Sequence, residues 1–273
     1  MTPLNRTAPQ FVDLLNRALA EPGIISTAYT AFHGYSIGNQ ILALVQCAER
    51  GITPGPIATF VGWKEKGRCV RKGEKAIVLC MPITAKRKAE DQAVTSDDSK
   101  PETFTRFVFR PNWFVLQQTD GEDVEPLAIP AWDRLRALET LGIVEEPFTG
   151  TDGNCHGYAR QRSIAVSPIA ELPHKTLLHE LAHVVLGHTT EAEAGLSDSD
   201  MTPRSLREVE AEAVALVCLE ALDLPGAEHS RGYIQHWNDR RGAEPIPERS
   251  AQRIFKAADQ ILKAGTTKPE ARS

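Results

Sequence analysis

The sequence predicts an α+β protein built from two domains. Its 273 residues exceed the length of one ordinary domain, which is roughly 100–150 residues. The first half combines amphipathic helical patterns with short β-rich runs, whereas helical patterns dominate the second half. An acidic, proline-bearing stretch at 119–130 separates the two halves. We therefore predict one domain over 1–124 and a second over 125–273.

Two helices and a small antiparallel sheet account for the first domain. Thr7 and Gln10 form a capping-box pattern that opens the first helix. Ser36 opens the second helix, whose apolar stripe ends at Gly51. The polar segment 84–103 has strand patterns on both sides, which indicates an insertion within a hairpin. The predicted strands are 57–63, 75–81, 104–109 and 113–118.

The second domain is expected to be mainly helical, with one clear strand. Apolar residues at helical spacing recur in five segments, and a β-rich run lies between the first and the second. That strand could bind an extended peptide by strand addition. The predicted helices are 131–141, 173–187, 204–222, 230–239 and 248–264, and the strand is 162–168.

Composition and charge restrict the class of protein. No apolar stretch reaches the roughly 20 residues that span a bilayer, and the N-terminus lacks the pattern of a secretory signal. Five widely spaced cysteines indicate reduced thiols, so a cytoplasmic protein without membrane partners is predicted. The net charge of −5 conceals a balance of +7 over residues 1–88 and −12 over 89–273. The basic part could face a polyanion.

The strongest motif is His179-Glu180-Leu181-Ala182-His183. On a helix, positions i and i+4 share one face, so both imidazoles can bind a single tetrahedral zinc ion. Glu180 is the expected general base, which takes a proton from water. The neighbouring residues are largely apolar, which makes these polar groups costly in a core without such a role. Zn²⁺ is the predicted cofactor, with Mn²⁺ as a possible substitute.

A third ligand is expected from the predicted helix 204–222. Glu208 and Glu212 share one of its faces, and Glu210 points elsewhere. We predict that Glu208 is the third metal ligand. Glu212 would hold a ligating imidazole in place or serve as an alternative ligand. The competing interpretation is that these glutamates form a solvated helix face and that the histidine motif arose by chance.

A site with a third histidine does not fit the spacing. The metzincin pattern would need glycine at Leu186 and histidine at Thr189. His188, continuing the same helix, is expected to point away from the metal. Four further histidines are expected to be ordinary surface residues or neighbours of the ligands: His156, His174, His229 and His236.

A cationic segment follows the first predicted strand. Lysines and arginines that follow phosphates, beside aromatic rings that stack on bases, are typical of single-stranded nucleic-acid binding. The opposing interpretation is that the cations solvate a hairpin and that most aromatics form its core. Trp63 is the best candidate for a stacking residue. The predicted DNA-binding residues are Trp63, Lys64, Lys66, Arg68, Arg71, Lys72 and Lys75.

Several segments together resemble the ArdC-type antirestriction proteins. They include FVGWKEKGRCVRKGEKAIVL at 60–79, SIGNQILALVQC at 36–47 and HELAHVVLGH at 179–188. The REVEAEAVALVCLEALDL run at 207–224 and YIQHWND at 233–239 follow in the same order. The resemblance implies a single-stranded-DNA-binding domain followed by a zincin-like metallopeptidase domain. It also implies that His179, His183 and Glu208 bind the metal and that Glu180 is the base.

Three hypotheses about function remain open at this point. The resemblance implies a factor, carried by a mobile element, that binds single-stranded DNA and protects incoming DNA from host restriction. An alternative is an active zinc metallopeptidase that cleaves a repressor or restriction-system protein and uses DNA only for localisation. A third is a binding module whose metal is structural.

Overall fold

The computed structural model describes residues 10–86, 103–125, 128–150, 155–189, 203–238 and 245–266. Their contacts form two compact units. Val45–Glu125 make up the first, while Pro9–Leu44 belong to the second together with the chain from Pro126 onward. Helices and antiparallel strands occur in both, so the predicted α+β class is confirmed.

The first unit contains a hairpin-based sheet and one short helix. Its three-stranded sheet has the order β1-β4-β3, and β2 pairs with β5 in a second, two-stranded sheet. All of these pairings are antiparallel. The elements are β1 (Ile57–Thr59), α4 (Phe60–Glu65), β2 (Arg68–Val70), β3 (Ile77–Lys86), β4 (Thr103–Val115) and β5 (Thr119–Gly121).

Two strand predictions in this unit need correction. The run 57–63 is a strand only as far as Thr59, whose Oγ1 accepts a hydrogen bond from the Gly62 N–H at 3.1 Å and caps α4. The run 104–109 and the first part of the run 113–118 belong to one continuous strand, β4, which ends at Val115, and Leu116–Gln118 form a short 3-10 helix. The ends of the predicted insertion 84–103 pair in the β3–β4 ladder, and its remainder lies outside the described residues.

The second unit is mainly helical, with a small mixed sheet of order β6-β8-β7. Within it β6 runs parallel and β7 antiparallel to the central β8. The strands are β6 (Val144–Glu145), β7 (Gly157–Arg160) and β8 (Ser163–Val166). The helices are α1 (Phe11–Ala20), α2 (Ile24–Phe32), α3 (Ile37–Arg50, which continues into the first unit), α5 (Arg134–Leu141), α6 (Pro173–Val185), α7 (Arg204–Ala221), α8 (Ala227–Asn238) and α9 (Glu248–Gly265).

Helix α7 is the centre of the core of the second unit. All of its side chains from Val209 to Leu219 are buried, and α6, α8 and α9 pack around it. Two of these side chains, Glu210 and Glu212, are carboxylates. Buried carboxylates are costly unless they are paired, so their partners must be identified.

The grouping of the three N-terminal helices differs from the domain division predicted at residue 124. Helix α1 contacts α8 and α9, and α2 contacts α7, so residues 10–44 group with the C-terminal half. Buried apolar side chains such as Leu15 and Ile25 require this packing. Glu248 of α9 also accepts hydrogen bonds from the Phe11 and Val12 N–H groups at 3.1 and 2.8 Å, which caps α1. The capping box predicted at Thr7 lies outside the described residues.

The state of the cysteines and the character of the helices can be compared with what the composition predicts. All five cysteines are free thiols, as predicted. Among the described helices, none combines the length and apolar character needed to cross a bilayer.

Candidate functional site

Helices α6 and α7 bring three possible metal ligands together. His179 and His183 lie one turn apart on α6, and their Nε2 atoms are 3.1 Å from each other. Glu208 of α7 places its Oε2 atom 3.6 Å from both of these nitrogens. Within the described part of the chain, this is the one group of three His, Cys or acidic side chains that could share an ion.

The spacing of these atoms fits a divalent metal ion. Ligands bound to tetrahedral zinc at 2.0–2.1 Å are separated from one another by roughly 3.3 Å. The two Nε2 atoms are 3.1 Å apart, and the Glu208 Oε2 is 3.6 Å from each of them, so the observed separations bracket that value. Two imidazoles and one carboxylate suit Zn²⁺ and related transition metals, and a fourth position is left for water or substrate.

The charges around His179 also favour a cation. Burial alone would lower the pKa of His179, but Glu208 and Glu212 raise it to about 9. The two histidines in turn hold the pKa of Glu208 well below its ordinary value. Positive charge is therefore stabilised where the three ligand atoms meet.

Glu212 contacts the opposite nitrogen of His179. Its Oε2 is 2.8 Å from His179 Nδ1, and its Oε1 is 2.7 Å from the Lys175 Nζ. Burial alone would raise the pKa of Glu212, but His179 and Lys175 hold it at about 2. An ionised carboxylate at Nδ1 leaves the Nε2 lone pair facing the metal position. Glu212 was predicted either to hold a ligating imidazole in place or to be an alternative ligand. This geometry matches the first role, and Glu212 is not one of the three side chains that could share an ion.

Glu180 is buried on α6 beside strand β7. Burial raises its pKa, although His179 and His183 oppose this effect. A Cβ atom at Gly157 of β7 would lie 2.5 Å from Thr176 Cγ2 and 3.3 Å from Glu180 Cγ. Glycine at this position therefore allows the strand to approach the helix closely at Glu180.

His188 does not point away from the ligands, which corrects the sequence prediction. Helix α6 ends at Val185, and Gly187 has a positive φ of 77°, so the chain turns back. As a result, His188 Nδ1 lies 3.1 Å from His183 Nδ1. His188 remains outside the ligand group because it faces the nitrogen of His183 opposite to the metal position.

The four histidines that the sequence analysis set apart from the ligands are exposed, in agreement with one of the two expectations for them. This group comprises His156, His174, His229 and His236.

Trp63 is not an exposed stacking residue. Its side chain is only 1% exposed, and its Nε1–H donates a hydrogen bond to the Phe114 carbonyl at 2.7 Å. Phe60 and Val61, on the same short helix α4, are 54% and 62% exposed. The apolar surface beside the cationic segment is therefore formed by Phe60 and Val61.

The two predicted DNA-binding arginines have partners within the first unit. Arg68 donates to the Thr119 Oγ1 and carbonyl at 2.8 and 3.0 Å. Arg71 pairs with Glu74 at 2.9 Å and with Asp120 at 3.5 Å. Both side chains therefore connect β2 and the turn that follows it with residues of β5. The sequence prediction missed this structural role.

The predicted lysines form the remaining cationic surface, called the lysine cluster below. Their side chains are exposed, and their ammonium groups form no ion pair with the residues that the structure describes. Exposed, unpaired ammonium groups are available to phosphates. The lysine cluster consists of Lys64, Lys66, Lys72 and Lys75.

Sequence reasoning missed several residues of the site. Lys175 lies one turn before His179, so its i,i+4 spacing could have placed it on the same helix face. The position of His188 could have been predicted by treating Gly187 as the signal that ends the helix. The exposure of Phe60 had no sequence signal, because apolar residues in a β-rich run are usually interpreted as core.

Comparison with known proteins supports one family. Residues 17–113 match the sequence model of the N-terminal domain of the anti-restriction factor ArdC. The crystal structure of the antirestriction protein ArdC from the R388 plasmid, in its metal-free form, is similar with a TM-score of 0.51 and 22% identity over 93% of this chain and 94% of that chain. The Mn(II)-bound structure of the same protein gives a TM-score of 0.49 and 19% identity over 94% and 98%. No curated protein sequence matches.

The fold is therefore that of an α+β protein similar to R388 ArdC along most of its length. The predicted resemblance to the ArdC-type antirestriction proteins is confirmed, with residues 17–113 carrying the family match.

Proposed function

We propose that this protein is an antirestriction factor that binds single-stranded DNA and holds a divalent metal ion. The family match over residues 17–113 carries this proposal, because it ties the region containing the lysine cluster to antirestriction. The factor would be carried by a mobile element and would act in the cytoplasm of the cell that receives the DNA. We further propose that residues 45–125 are the DNA-binding part and that the second unit is the zincin-like part.

The lysine cluster supports DNA binding through the phosphate backbone. Its four ammonium groups are exposed, and the apolar surface of Phe60 and Val61 lies on α4, directly before and beside them in the sequence. Cations beside an exposed aromatic ring suit single strands, whose unpaired bases can stack on the ring. No base-specific contact is required, so a weak sequence preference is expected.

His179, His183 and Glu208 would hold the metal ion. Zn²⁺ fits the ligand set best and Mn²⁺ is an alternative. When bound, the ion would supply Lewis-acid polarisation of a substrate carbonyl. Glu212 would hold the ring of His179 so that its Nε2 faces the ion.

An active metallopeptidase is the second candidate function, and Glu180 favours it. A purely structural metal site needs no buried carboxylate with a raised pKa beside the ligands. Glu180 would take a proton from the attacking water as the peptide carbonyl is attacked.

The peptide would bind to β7 instead of the strand predicted for that role. The predicted strand is the central β8, which pairs with β6 on one side and β7 on the other. β7 is an edge strand of the described sheet, and it passes close to Glu180. An edge strand can accept a further strand by backbone hydrogen bonding.

A conjugation assay tests the proposed function. A plasmid carrying restriction sites is transferred into a restricting host and a non-restricting host, in the presence of three forms of the protein. These are the wild type, Glu180→Ala, and a charge-reversed variant with Lys64→Glu, Lys66→Glu and Lys72→Glu. The wild type should raise transfer only into the restricting host, and the charge-reversed variant should lose this effect.

The Glu180→Ala result separates the two candidate functions. Full protection by this variant would exclude peptide hydrolysis as the mechanism, whereas loss of protection with intact DNA binding would favour the metallopeptidase. If the wild type gives no protection against any tested restriction enzyme, the antirestriction proposal is wrong.

A further inference from the structure

Behind His183 lies a chain of buried polar side chains. His188 Nδ1 is 3.1 Å from His183 Nδ1, and His188 Nε2 is 2.9 Å from the Glu210 Oε2. Arg253 of α9 lies 3.5 Å from the same carboxylate and donates to the Leu186 carbonyl at 2.8 Å. The side chain of His188 is only 2% exposed, and that of Glu210 is fully buried.

The charge of Glu210 determines which nitrogens carry protons. The Arg253 guanidinium lies 3.5 Å from its fully buried carboxylate, and this pairing favours the ionised form. An ionised carboxylate can only accept, so His188 must carry its proton on Nε2. The ring of His188 is buried and shares the single carboxylate of Glu210 with the cationic Arg253, so this environment favours the neutral ring. The Nδ1 of a neutral ring protonated at Nε2 is an acceptor.

This order of donors and acceptors extends to the ligand. Because His188 Nδ1 accepts, His183 must donate its proton from Nδ1, and its Nε2 keeps a free lone pair. That Nε2 is the atom that lies 3.6 Å from Glu208 and 3.1 Å from His179 Nε2. The buried chain therefore presents His183 in the form that a metal ion requires.

We propose that His188, Glu210 and Arg253 are positioning residues that fix the tautomer and ring orientation of His183 for metal binding. This inference rests on the proposed role of His183 as a ligand. The two ligating histidines are then held differently: His179 by Glu212 directly, and His183 by Glu210 through a second imidazole. Gly187 is needed because its left-handed backbone turns His188 back under the helix.

Three substitutions test the proposal. His188→Phe keeps a ring of similar size but removes both nitrogens. His188→Asn keeps an acceptor, because its Oδ1 can occupy the place of Nδ1. His174→Phe is the matched control, since His174 is an exposed histidine on α6, the helix that carries His179 and His183.

The measurements are the Zn²⁺ dissociation constant, by competition with a chromophoric chelator, and the Tm of the metal-free protein. His188→Phe should weaken zinc binding by about 10–100-fold, the effect typical of residues that orient a ligand. His188→Asn should recover most of that affinity, and His174→Phe should bind zinc as the wild type does. Imidazole ¹⁵N spectra of the wild type should show the proton of neutral His183 on Nδ1.

Each contrary result has a distinct meaning. The inference is wrong if His188→Phe binds zinc like the wild type, or if His188→Asn lowers affinity and metal-free Tm as much as phenylalanine does. If His188→Phe fails to fold, the ¹⁵N spectra decide, and a proton of His183 on Nε2 would overturn the proposal. If the wild type itself binds no zinc or manganese, the metal site of the proposed function fails, and this inference fails with it.

Discussion

Neighbouring residues in the segment Phe60-Val61-Gly62-Trp63 have different environments. The indole of Trp63 is buried and bonded to the β4 backbone, whereas the rings and methyl groups of Phe60 and Val61 face solvent. Trp63 therefore stabilises the first unit, and Phe60 is the aromatic residue that a base can reach.

Alanine substitutions should separate these two roles. Trp63→Ala should lower the free energy of unfolding by about 3–5 kcal/mol, because it empties a buried aromatic site. Phe60→Ala should leave stability nearly unchanged but weaken single-stranded DNA binding by about 1–3 kcal/mol, the usual contribution of one stacked base. Denaturant unfolding and fluorescence anisotropy with a labelled oligothymidylate measure the two effects.

Phe107→Ala serves as the control for Phe60→Ala. Phe107 is 67% exposed but lies on β4, outside helix α4. This variant should bind DNA like the wild type. Equal losses of affinity in both phenylalanine variants would contradict a specific role for Phe60.

Individual residues of the candidate metal site were predictable to different degrees. The i,i+4 spacing of His179 and His183 specifies a shared helix face whatever the tertiary structure, so their proximity followed from the sequence. Glu208 was harder, because its position depends on how α7 packs on α6; its Oε2 lies 3.6 Å from the Nε2 atoms of both histidines. The contact of His188 with His183 depends on where α6 ends, and helix ends are set by local turns that periodicity does not reveal.

At the scale of elements, long periodic helices were predictable and short strands were not. Helices α6, α7 and α9 follow their predicted ranges within a few residues. The sequence did not predict the helices α2 and α4 or the strands β2, β5, β6 and β7. Each of these four strands has four or fewer residues, too few to display an alternation of apolar and polar side chains.

Asp259 joins two helices and gives stability a pH dependence. Its Oδ1 accepts a hydrogen bond from the Ile37 N–H at 3.0 Å, at the start of α3. Burial raises its pKa from 3.8 to about 6, although the bond from Ile37 and the charge of Lys263 oppose this. Tyr29 and Cys218 also face this carboxyl group.

The sign of the effect follows from linkage. A carboxyl whose pKa is raised on folding favours the folded state below its unfolded pKa, and this contribution is lost as pH rises through about 6. Asp259→Asn should therefore be more stable than the wild type at pH 7.5, by up to about 3 kcal/mol. Its unfolding free energy should also vary less between pH 4 and 6.5, as measured by urea unfolding.

Asp13→Asn is a suitable control for the pH experiment. Asp13 is an exposed aspartate on α1, so its substitution should preserve the pH dependence of the wild type. If Asp259→Asn also preserves that dependence, the carboxyl group of Asp259 is not its origin.

At the scale of the whole molecule, the charge asymmetry of the sequence needs a different explanation. Counted over residues 45–125, the chain has 13 Lys and Arg against 12 Asp and Glu, so the first unit is close to neutral. The positive charge is concentrated in the segment 64–75, which has six cations and two glutamates. In the proposed function, a local cluster and not the charge of a whole domain would provide the contact with phosphates.

The salt dependence of DNA binding should report the size of this cluster. Four phosphate contacts predict that the logarithm of the affinity falls with the logarithm of salt concentration with a slope of about −3. Titrations of an oligothymidylate at KCl concentrations between about 50 and 300 mM measure this slope. Lys72→Gln should reduce its magnitude by about 0.7, and a flat response would contradict the electrostatic explanation.

The central claim is that DNA binding and metal binding belong to separate parts of one chain. The lysine cluster lies in the first unit, and the three candidate ligands lie in the second. The most direct test measures oligothymidylate and Zn²⁺ affinities for two variants, His183→Ala and the Lys64/Lys66/Lys72→Glu triple substitution. His183→Ala should lower zinc affinity by more than about 100-fold and leave DNA affinity unchanged. The triple variant should lower DNA affinity and leave zinc affinity unchanged. Loss of both affinities in either folded variant would contradict the claim.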